Sequence, residues 1–161
     1  MNRYLILLLT ILCFGPYSYG QDQDKEQLIE AIATQVIKEQ TYEIEVDRVL
    51  PRRGRIRPIH GYSVKVNNDS INSVLPYFGR AYSIGYGGGE GLNFKADLKT
   101  YKTERLSKNR IRVSLRADSR DDHFTYTLTF FSNRKVDIHV IGINREEISF
   151  TGYLLKETVA K

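Results

Sequence analysis

Three histidines are the first residues with chemistry to offer, because a neutral imidazole can hold a transition metal or exchange a proton near neutral pH. They are His60, His123 and His139. None forms an H-x-H or H-x-x-x-H pair, the spacings that place two ligands on one face of a strand or a helix. The acids near them are Asp121, Asp122 and Asp137. We therefore predict no metal site and no other cofactor.

Nucleophilic catalysis needs an activated serine or cysteine, either in a G-x-S-x-G turn or beside a histidine partner. The sequence indicates neither, and its one cysteine, Cys13, lies in the apolar N-terminal run. The adjacent acids Asp121-Asp122 and Glu146-Glu147 would point to opposite faces of a strand rather than converge on one bond. We interpret them as solvated turn acids. An enzyme is thus the third hypothesis, with no motif to support it.

The densest positive charge lies between two prolines, at residues 51–58. Its four arginines are Arg52, Arg53, Arg55 and Arg57. Planar guanidinium groups bind phosphates and carboxylates in bidentate pairs, so this loop is a candidate contact for an anionic partner such as lipid headgroups. The alternative is a solvated loop whose prolines keep it from extending the flanking strands.

The glycine-rich stretch at residues 75–91, LPYFGRAYSIGYGGGEG, is the least ordinary part of the chain. Its glycines could cradle a phosphate, but neither a following Lys-Ser/Thr nor the dinucleotide-binding spacing is present. Small and bulky residues alternate instead, which predicts a strand near residues 80–86 and a glycine-rich hairpin tip after it. The candidate contacts for a small apolar or lipid-like ligand are Tyr77, Phe78, Arg80, Tyr82 and Tyr86.

The elements that must position these residues follow from hydrophobic periodicity. Residues 22–38 repeat apolar side chains at helical spacing, and Lys38 in the last turn complements the helix dipole. After Thr41 the period changes to two, which predicts strands to the end of the chain. Besides the strand near 80–86, the alternating segments are residues 42–46, 62–66, 92–98, 111–115, 124–130, 136–140 and 148–154.

Short polar connections at residues 107–109, 118–121 and 132–134 favour antiparallel neighbours, so the strands should form a meander. About eight antiparallel strands can close into a barrel whose interior is filled or holds one small ligand. We predict a mostly β fold, a closed or nearly closed barrel with one N-terminal α-helix. A two-sheet β-sandwich is the alternative, since strand patterns alone do not distinguish closure from stacking.

The first twenty residues have the three parts of a secretory signal: Asn2 and Arg3, an apolar run to Phe14, and a small-residue cleavage site ending at Gly20. The run is too short to span a bilayer as a helix. We expect cleavage after Gly20, which leaves residues 21–161 as one domain with its helix at 22–38 and no transmembrane segment. The mature domain has 23 basic and 19 acidic residues. Because it is exported and its charge is scattered, we expect no nucleic-acid partner.

Several segments together resemble one bacterial family. They are LPYFGRAY at residues 75–82 with GLNF at 91–94, VDIHV at 136–140, NR at 144–145 and ISFTG at 148–152. This pattern, over most of residues 25–155, is similar to the exported proteins catalogued as domain of unknown function 4251. The resemblance implies a leader peptide, a Gram-negative envelope location and a lipocalin-like barrel topology. It implies no catalytic or binding residue.

Two hypotheses about function rank above the enzyme hypothesis. The first is a non-catalytic periplasmic or envelope-associated protein whose apolar strand faces enclose a small apolar or lipid-like ligand. The second is an interaction or structural module whose arginine loop contacts an anionic envelope component or a protein partner. Salt dependence discriminates between them, because an enclosed apolar ligand should hardly respond to ionic strength.

Overall fold

The fold is a closed β-barrel preceded by one helix. A computed structural model of the chain describes residues 19–80, 82, 91–107, 109–120 and 122–155. Each strand pairs antiparallel with its neighbours in sequence, and the last strand also pairs with the first, so the predicted meander closes. Closure excludes the sandwich. The strands are β1 (Thr41–Pro51), β2 (Arg57–Asn67), β3 (Ser70–Leu75), β4 (Leu92–Ser107), β5 (Arg110–Asp118), β6 (His123–Phe131), β7 (Lys135–Gly142) and β8 (Ile148–Leu154).

The predicted N-terminal helix is confirmed, with α1 at Tyr19–Ala33 followed directly by a π-helix at Thr34–Glu39. Its buried stripe contains Ile29, Ile32 and Val36. Leu28, although apolar, is 44% exposed because the buried stripe passes beside it. The helix ends at a left-handed residue and β1 begins after it. Within the described residues, no helix is both long and apolar enough to cross a membrane.

Two polar contacts attach the helix to β4, in the part of that strand that pairs with β5. The Tyr101 hydroxyl donates to the Val36 carbonyl oxygen at 2.8 Å and lies 3.2 Å from the Tyr42 hydroxyl. Burial raises the pKa of Tyr101 to about 12, so the phenol stays a donor at neutral pH. The Arg105 guanidinium binds both carboxylate oxygens of Glu30, at 2.6 and 3.1 Å.

Strand β3 was missed by the sequence analysis, and the reason lies in one buried serine. The inward face of β3 carries Ile71, Ser73 and Leu75, so a polar residue interrupts the apolar alternation. Ser73 is buried because its hydroxyl donates to the Leu92 carbonyl oxygen at 2.8 Å and accepts from the Tyr126 hydroxyl at 2.9 Å. These two hydrogen bonds satisfy a hydroxyl that would otherwise be costly to bury.

The barrel interior is filled by the side chains that alternate inward along all eight strands. Large ones dominate, and Phe124, Tyr126, Phe130 and Phe150 are each at most 1% exposed. The rings of Phe94 and Phe124 stack with centroids 5.1 Å apart. Most inward side chains have almost no surface that a water molecule could reach. The described interior is therefore a packed core.

Candidate functional site

One end of the barrel collects the described residues of both groups that were singled out in the sequence. In an antiparallel meander every second connection lies at the same end, and here the described parts of these connections are residues 52–56, 76–80 with 82 and 91, 119–120 with 122, and 143–147. We call this end, defined by those four connections, the arginine end. The helix is attached at the opposite end, where β1 begins.

The arginine loop, residues 51–58, includes the connection from β1 to β2 and the first residues of β2. All four of its arginines are exposed. The Arg52 Nε lies 3.7 Å from a Glu147 carboxylate oxygen. The Arg57 guanidinium lies over the Phe78 ring, 5.7 Å from its centroid, which is within range of a cation–π interaction. Among the described residues, neither Arg53 nor Arg55 has an ion pair. These two guanidinium groups are therefore available to an external anion.

The segment that follows β3 packs against the connection between β7 and β8. The Tyr77 hydroxyl lies 2.9 Å from the carbonyl oxygens of both Arg80 and Glu146, and its single proton can be donated to either of them. The Glu146 amide donates to the Arg80 carbonyl at 2.9 Å, and the Tyr82 amide donates to Asn144 at 2.7 Å. Burial raises the pKa of Tyr77, which keeps its hydroxyl protonated. This network fixes the segment across the end of the barrel.

The strand predicted near residues 80–86 is wrong at the two positions that are described, since Arg80 and Tyr82 lie outside any strand. The eighth strand of the barrel is β3. Tyr86 and the glycine-rich tip lie outside the described residues. Phe78, Arg80 and Tyr82 are exposed, and Tyr77 is half-buried. Four of the five predicted ligand contacts thus lie on the surface or rim of the arginine end.

Asp122 is a buried carboxylate that accepts hydrogen bonds from several residues of the arginine end. Its interpretation as a solvated turn acid was therefore wrong. Its side chain is 0% exposed. One carboxylate oxygen accepts from the amides of His123 at 2.8 Å, Ile143 at 2.9 Å and Asn144 at 3.2 Å, and the other accepts from Arg145 Nε at 2.8 Å. A buried carboxylate is stable only with such a full set of donors.

The partner cation, Arg145, is buried with Asp122 and is held between two aromatic rings. Its guanidinium lies 5.2 Å from the Tyr77 ring centroid and 5.0 Å from that of Phe124. Gly142 makes room for the pair, since a Cβ there would lie 2.6 Å from an Asp122 oxygen and 2.7 Å from Arg145 Cγ. The pair joins three of the connections at the arginine end and holds their backbones in place.

Exposed apolar side chains also concentrate at this end. Ile56 is 62%, Phe78 46%, Tyr82 67% and Ile143 67% exposed. They belong to three different connections. Ile56 lies between Arg55 and Arg57 in sequence, Phe78 contacts Arg57, and Tyr82 is hydrogen-bonded to Asn144, the neighbour of Ile143. The end therefore presents cationic and apolar groups together.

The three histidines do not meet. The His123 Nδ1 lies 2.7 Å from an Asp118 oxygen, a contact that lowers the pKa of Asp118. In the part of the chain that the structure describes, no three His, Cys, Asp or Glu side chains lie close enough together to hold a metal ion.

One serine does have a histidine partner, which the sequence analysis did not find. On the outer face of the barrel, Ser149 Oγ lies 2.9 Å from His139 Nδ1, and His139 Nε2 lies 3.5 Å from a Glu147 oxygen. This row borders a groove of about 390 Å³ over β6, β7 and β8. An acyl-transfer site also needs free N–H donors for an oxyanion. Because β8 is paired with β1 and β7, its backbone amides are engaged in the two ladders.

We therefore expect Ser149 to be unreactive. After incubation with a fluorophosphonate probe, intact-protein mass spectrometry should show no covalent adduct on the unsubstituted chain. The Ser149→Ala variant is the blank and should give the same result. An adduct on the unsubstituted chain that the variant lacks would contradict this and revive the enzyme hypothesis.

Comparison of the sequence with family models identifies the family of this chain. A sequence model of the family described as "Domain of unknown function (DUF4251)" matches residues 23–154. The chain belongs to the DUF4251 family. The resemblance inferred from the segments between residues 75 and 152 is thereby confirmed. No curated protein matches this DUF4251 chain.

A solved DUF4251 structure has the same fold. It is the crystal structure, at 1.95 Å resolution, of a DUF4251 family protein from Bacteroides eggerthii DSM 20697. The similarity has a TM-score of 0.54 at 18% sequence identity, over 82% of this chain and 87% of that chain. At this identity the likeness supports the DUF4251 fold alone.

Proposed function

We propose that this DUF4251 protein is an exported, non-catalytic interaction module that associates through its arginine end with an anionic component of the cell envelope. The observation that carries the proposal is the pair of exposed, unpaired guanidinium groups of Arg53 and Arg55 on the described surface. The signal pattern of residues 1–20 supports export, and an envelope offers phosphate and carboxylate groups that arginine binds well.

The packed interior favours this surface function over an enclosed ligand. An apolar ligand in the barrel would have to displace side chains such as Phe124, Tyr126 and Phe150, which are buried against one another. The residues predicted to contact it, such as Phe78 and Tyr82, instead face solvent. The enclosed-ligand hypothesis stays a prediction, which extraction of the natively purified protein for small molecules would test.

The charges of the arginine end also favour an anionic partner. Its described acids already face a cation or a donor: Asp122 binds Arg145, Glu147 lies near Arg52, and a Glu146 oxygen lies 3.4 Å from the Arg80 amide nitrogen. Their negative charge is thus partly offset, whereas Arg53 and Arg55 have no acid beside them. The local excess is positive although the domain as a whole is only mildly basic.

Removing the arginine loop's charge should abolish the association. We expect the variant with Arg52, Arg53, Arg55 and Arg57 all changed to serine to bind envelope fragments of the native host at least a hundredfold more weakly. The reason is that each arginine near an anionic surface contributes about 1 kcal/mol. Cosedimentation over a series of salt concentrations measures this, and the association of the unsubstituted protein should weaken steeply up to physiological salt.

The matched control removes the same charge elsewhere. Lys95, Lys99, Lys102 and Arg110 are exposed on β4 and β5, and changing them all to serine should leave most of the binding intact. Equal losses in the two quadruple variants would mean that only net charge matters. Unchanged binding by the arginine-loop variant would overturn the proposed function.

A further inference from the structure

We infer that the anionic partner is the surface of a lipid bilayer, into which the arginine end inserts Ile56, Phe78, Tyr82 and Ile143. The inference rests on the proposed function and narrows its partner. It starts from the uneven distribution of exposed apolar side chains. Of the eight large ones among the described residues, four lie in the connections of this end, namely Ile56, Phe78, Tyr82 and Ile143, and a fifth, Ile141, lies on β7 next to its last residue. Such clustering marks an interaction surface.

The arrangement of these side chains suits the boundary between headgroups and acyl chains. Ile56 lies between Arg55 and Arg57 in the loop, and the Arg57 guanidinium rests over Phe78. Arginine can bind lipid phosphates while its neighbouring apolar side chain reaches below them, and tyrosine is enriched at this depth of the bilayer. Neither charge nor apolar area alone gives stable attachment to a bilayer, and this end supplies both.

The structure also holds the apolar side chains ready for insertion. Ile143 is anchored by its own amide, which donates to Asp122 at 2.9 Å, and Tyr82 is attached through Asn144 at 2.7 Å. Phe78 is flanked by Tyr77, whose hydroxyl can donate to either of two carbonyl oxygens. Connections fixed in this way lose little conformational entropy when they bind, which favours affinity.

The test uses vesicles of equal parts phosphatidylcholine and phosphatidylglycerol, with pure phosphatidylcholine vesicles as the neutral reference. The variant with Ile56, Phe78 and Ile143 changed to serine should bind the anionic vesicles on the order of a hundredfold more weakly, since each side chain loses buried apolar area. The control changes Leu28, Tyr153 and Leu155 to serine, because these side chains are similarly exposed but lie on the helix or at the opposite end. Control binding should match that of the unsubstituted protein.

A fluorescence experiment reports insertion directly, because the chain contains no tryptophan. Ile56→Trp should shift its emission to shorter wavelength when anionic vesicles are added, and Tyr153→Trp should not. The absence of a shift for Ile56→Trp, or equal shifts for both variants, would overturn the inference.

The two proposals fail in distinguishable ways. Suppose that envelope binding depends on the arginine loop, but the protein does not bind vesicles or the apolar triple variant binds them fully. Either result would overturn insertion into a bilayer and retain an anionic partner. Envelope binding that survives loss of all four arginines would overturn both.

Discussion

Asp122→Asn is expected to lower the free energy of unfolding by about 3–5 kcal/mol, the range found when one partner of a buried ion pair is removed. The substitution keeps the shape of the side chain but removes its charge, so Arg145 is left buried without an anion. The amides of His123, Ile143 and Asn144 also lose a charged acceptor. Urea unfolding followed by circular dichroism measures the difference.

Asp118→Asn is the matched control for this prediction. Asp118 lies on the same β5–β6 hairpin and also contacts a polar side chain, His123, but both side chains are exposed to solvent. Exposed polar contacts of this kind contribute little to stability, so its unfolding midpoint should hardly move. If the two substitutions had equal effects, the Asp122–Arg145 pair would not be the structural centre of the arginine end.

The Asp122→Asn variant also links stability to the proposed function. Loss of the Asp122 charge frees the β7–β8 connection, which carries Ile143 and binds Tyr82 through Asn144. Under conditions in which Asp122→Asn is still folded, we expect weaker vesicle binding although no arginine or apolar side chain of the surface has been changed. Vesicle cosedimentation at low temperature measures this effect.

Gly152→Ala is expected to destabilise the barrel by at least about 3 kcal/mol, at the upper end of the range for overpacking. Gly152 lies on β8 opposite Val46 of β1, where β1 has a bulge. A Cβ at this position would collide with the Glu45 carbonyl oxygen and lie 3.0 Å from Val46 Cα. These are backbone atoms of the strand that closes the barrel, so they cannot move aside without breaking the β1–β8 ladder.

Gly61→Ala separates this collision from backbone strain. Gly61 has a φ of +77°, but nothing lies within 4 Å of a Cβ added there. It should cost only about 1–2 kcal/mol for a left-handed alanine. Urea unfolding gives both free energies, and hydrogen exchange should show faster opening at the β1–β8 seam for Gly152→Ala alone. A Gly152→Ala barrel as stable as the Gly61→Ala barrel would contradict the role of Gly152.

Much of the fold was predictable because strand alternation is a local property. Seven strands were placed correctly, since each has an apolar side and a polar side that follow each other along the chain. β3 escaped because its inward Ser73 breaks the alternation, and its partners Leu92 and Tyr126 are distant in sequence. The glycine-rich stretch had the right composition for an alternating strand, but Arg80 and Tyr82 instead bind the β7–β8 connection.

The candidate site was predictable in its residue types and not in its assembly. Arg57 and Phe78 were singled out for two different functions, and the structure places them in contact. Asp122 was interpreted as a solvated turn acid because it is adjacent to Asp121, and neighbouring acids on a strand point apart instead of converging on one bond. Its burial depends on Arg145, which lies 23 residues further along the chain.

The mostly β composition, the antiparallel meander and the positions of the exposed arginines could be read from the sequence, because short connections and period-two alternation act between neighbouring residues. Three features depend on the folded chain: which polar groups are buried, which strand closes the barrel, and the position of the arginine loop and the aromatic segment at one end. Those features depend on contacts between residues far apart in the chain, and burial of a charge is stable only where its distant partners meet it.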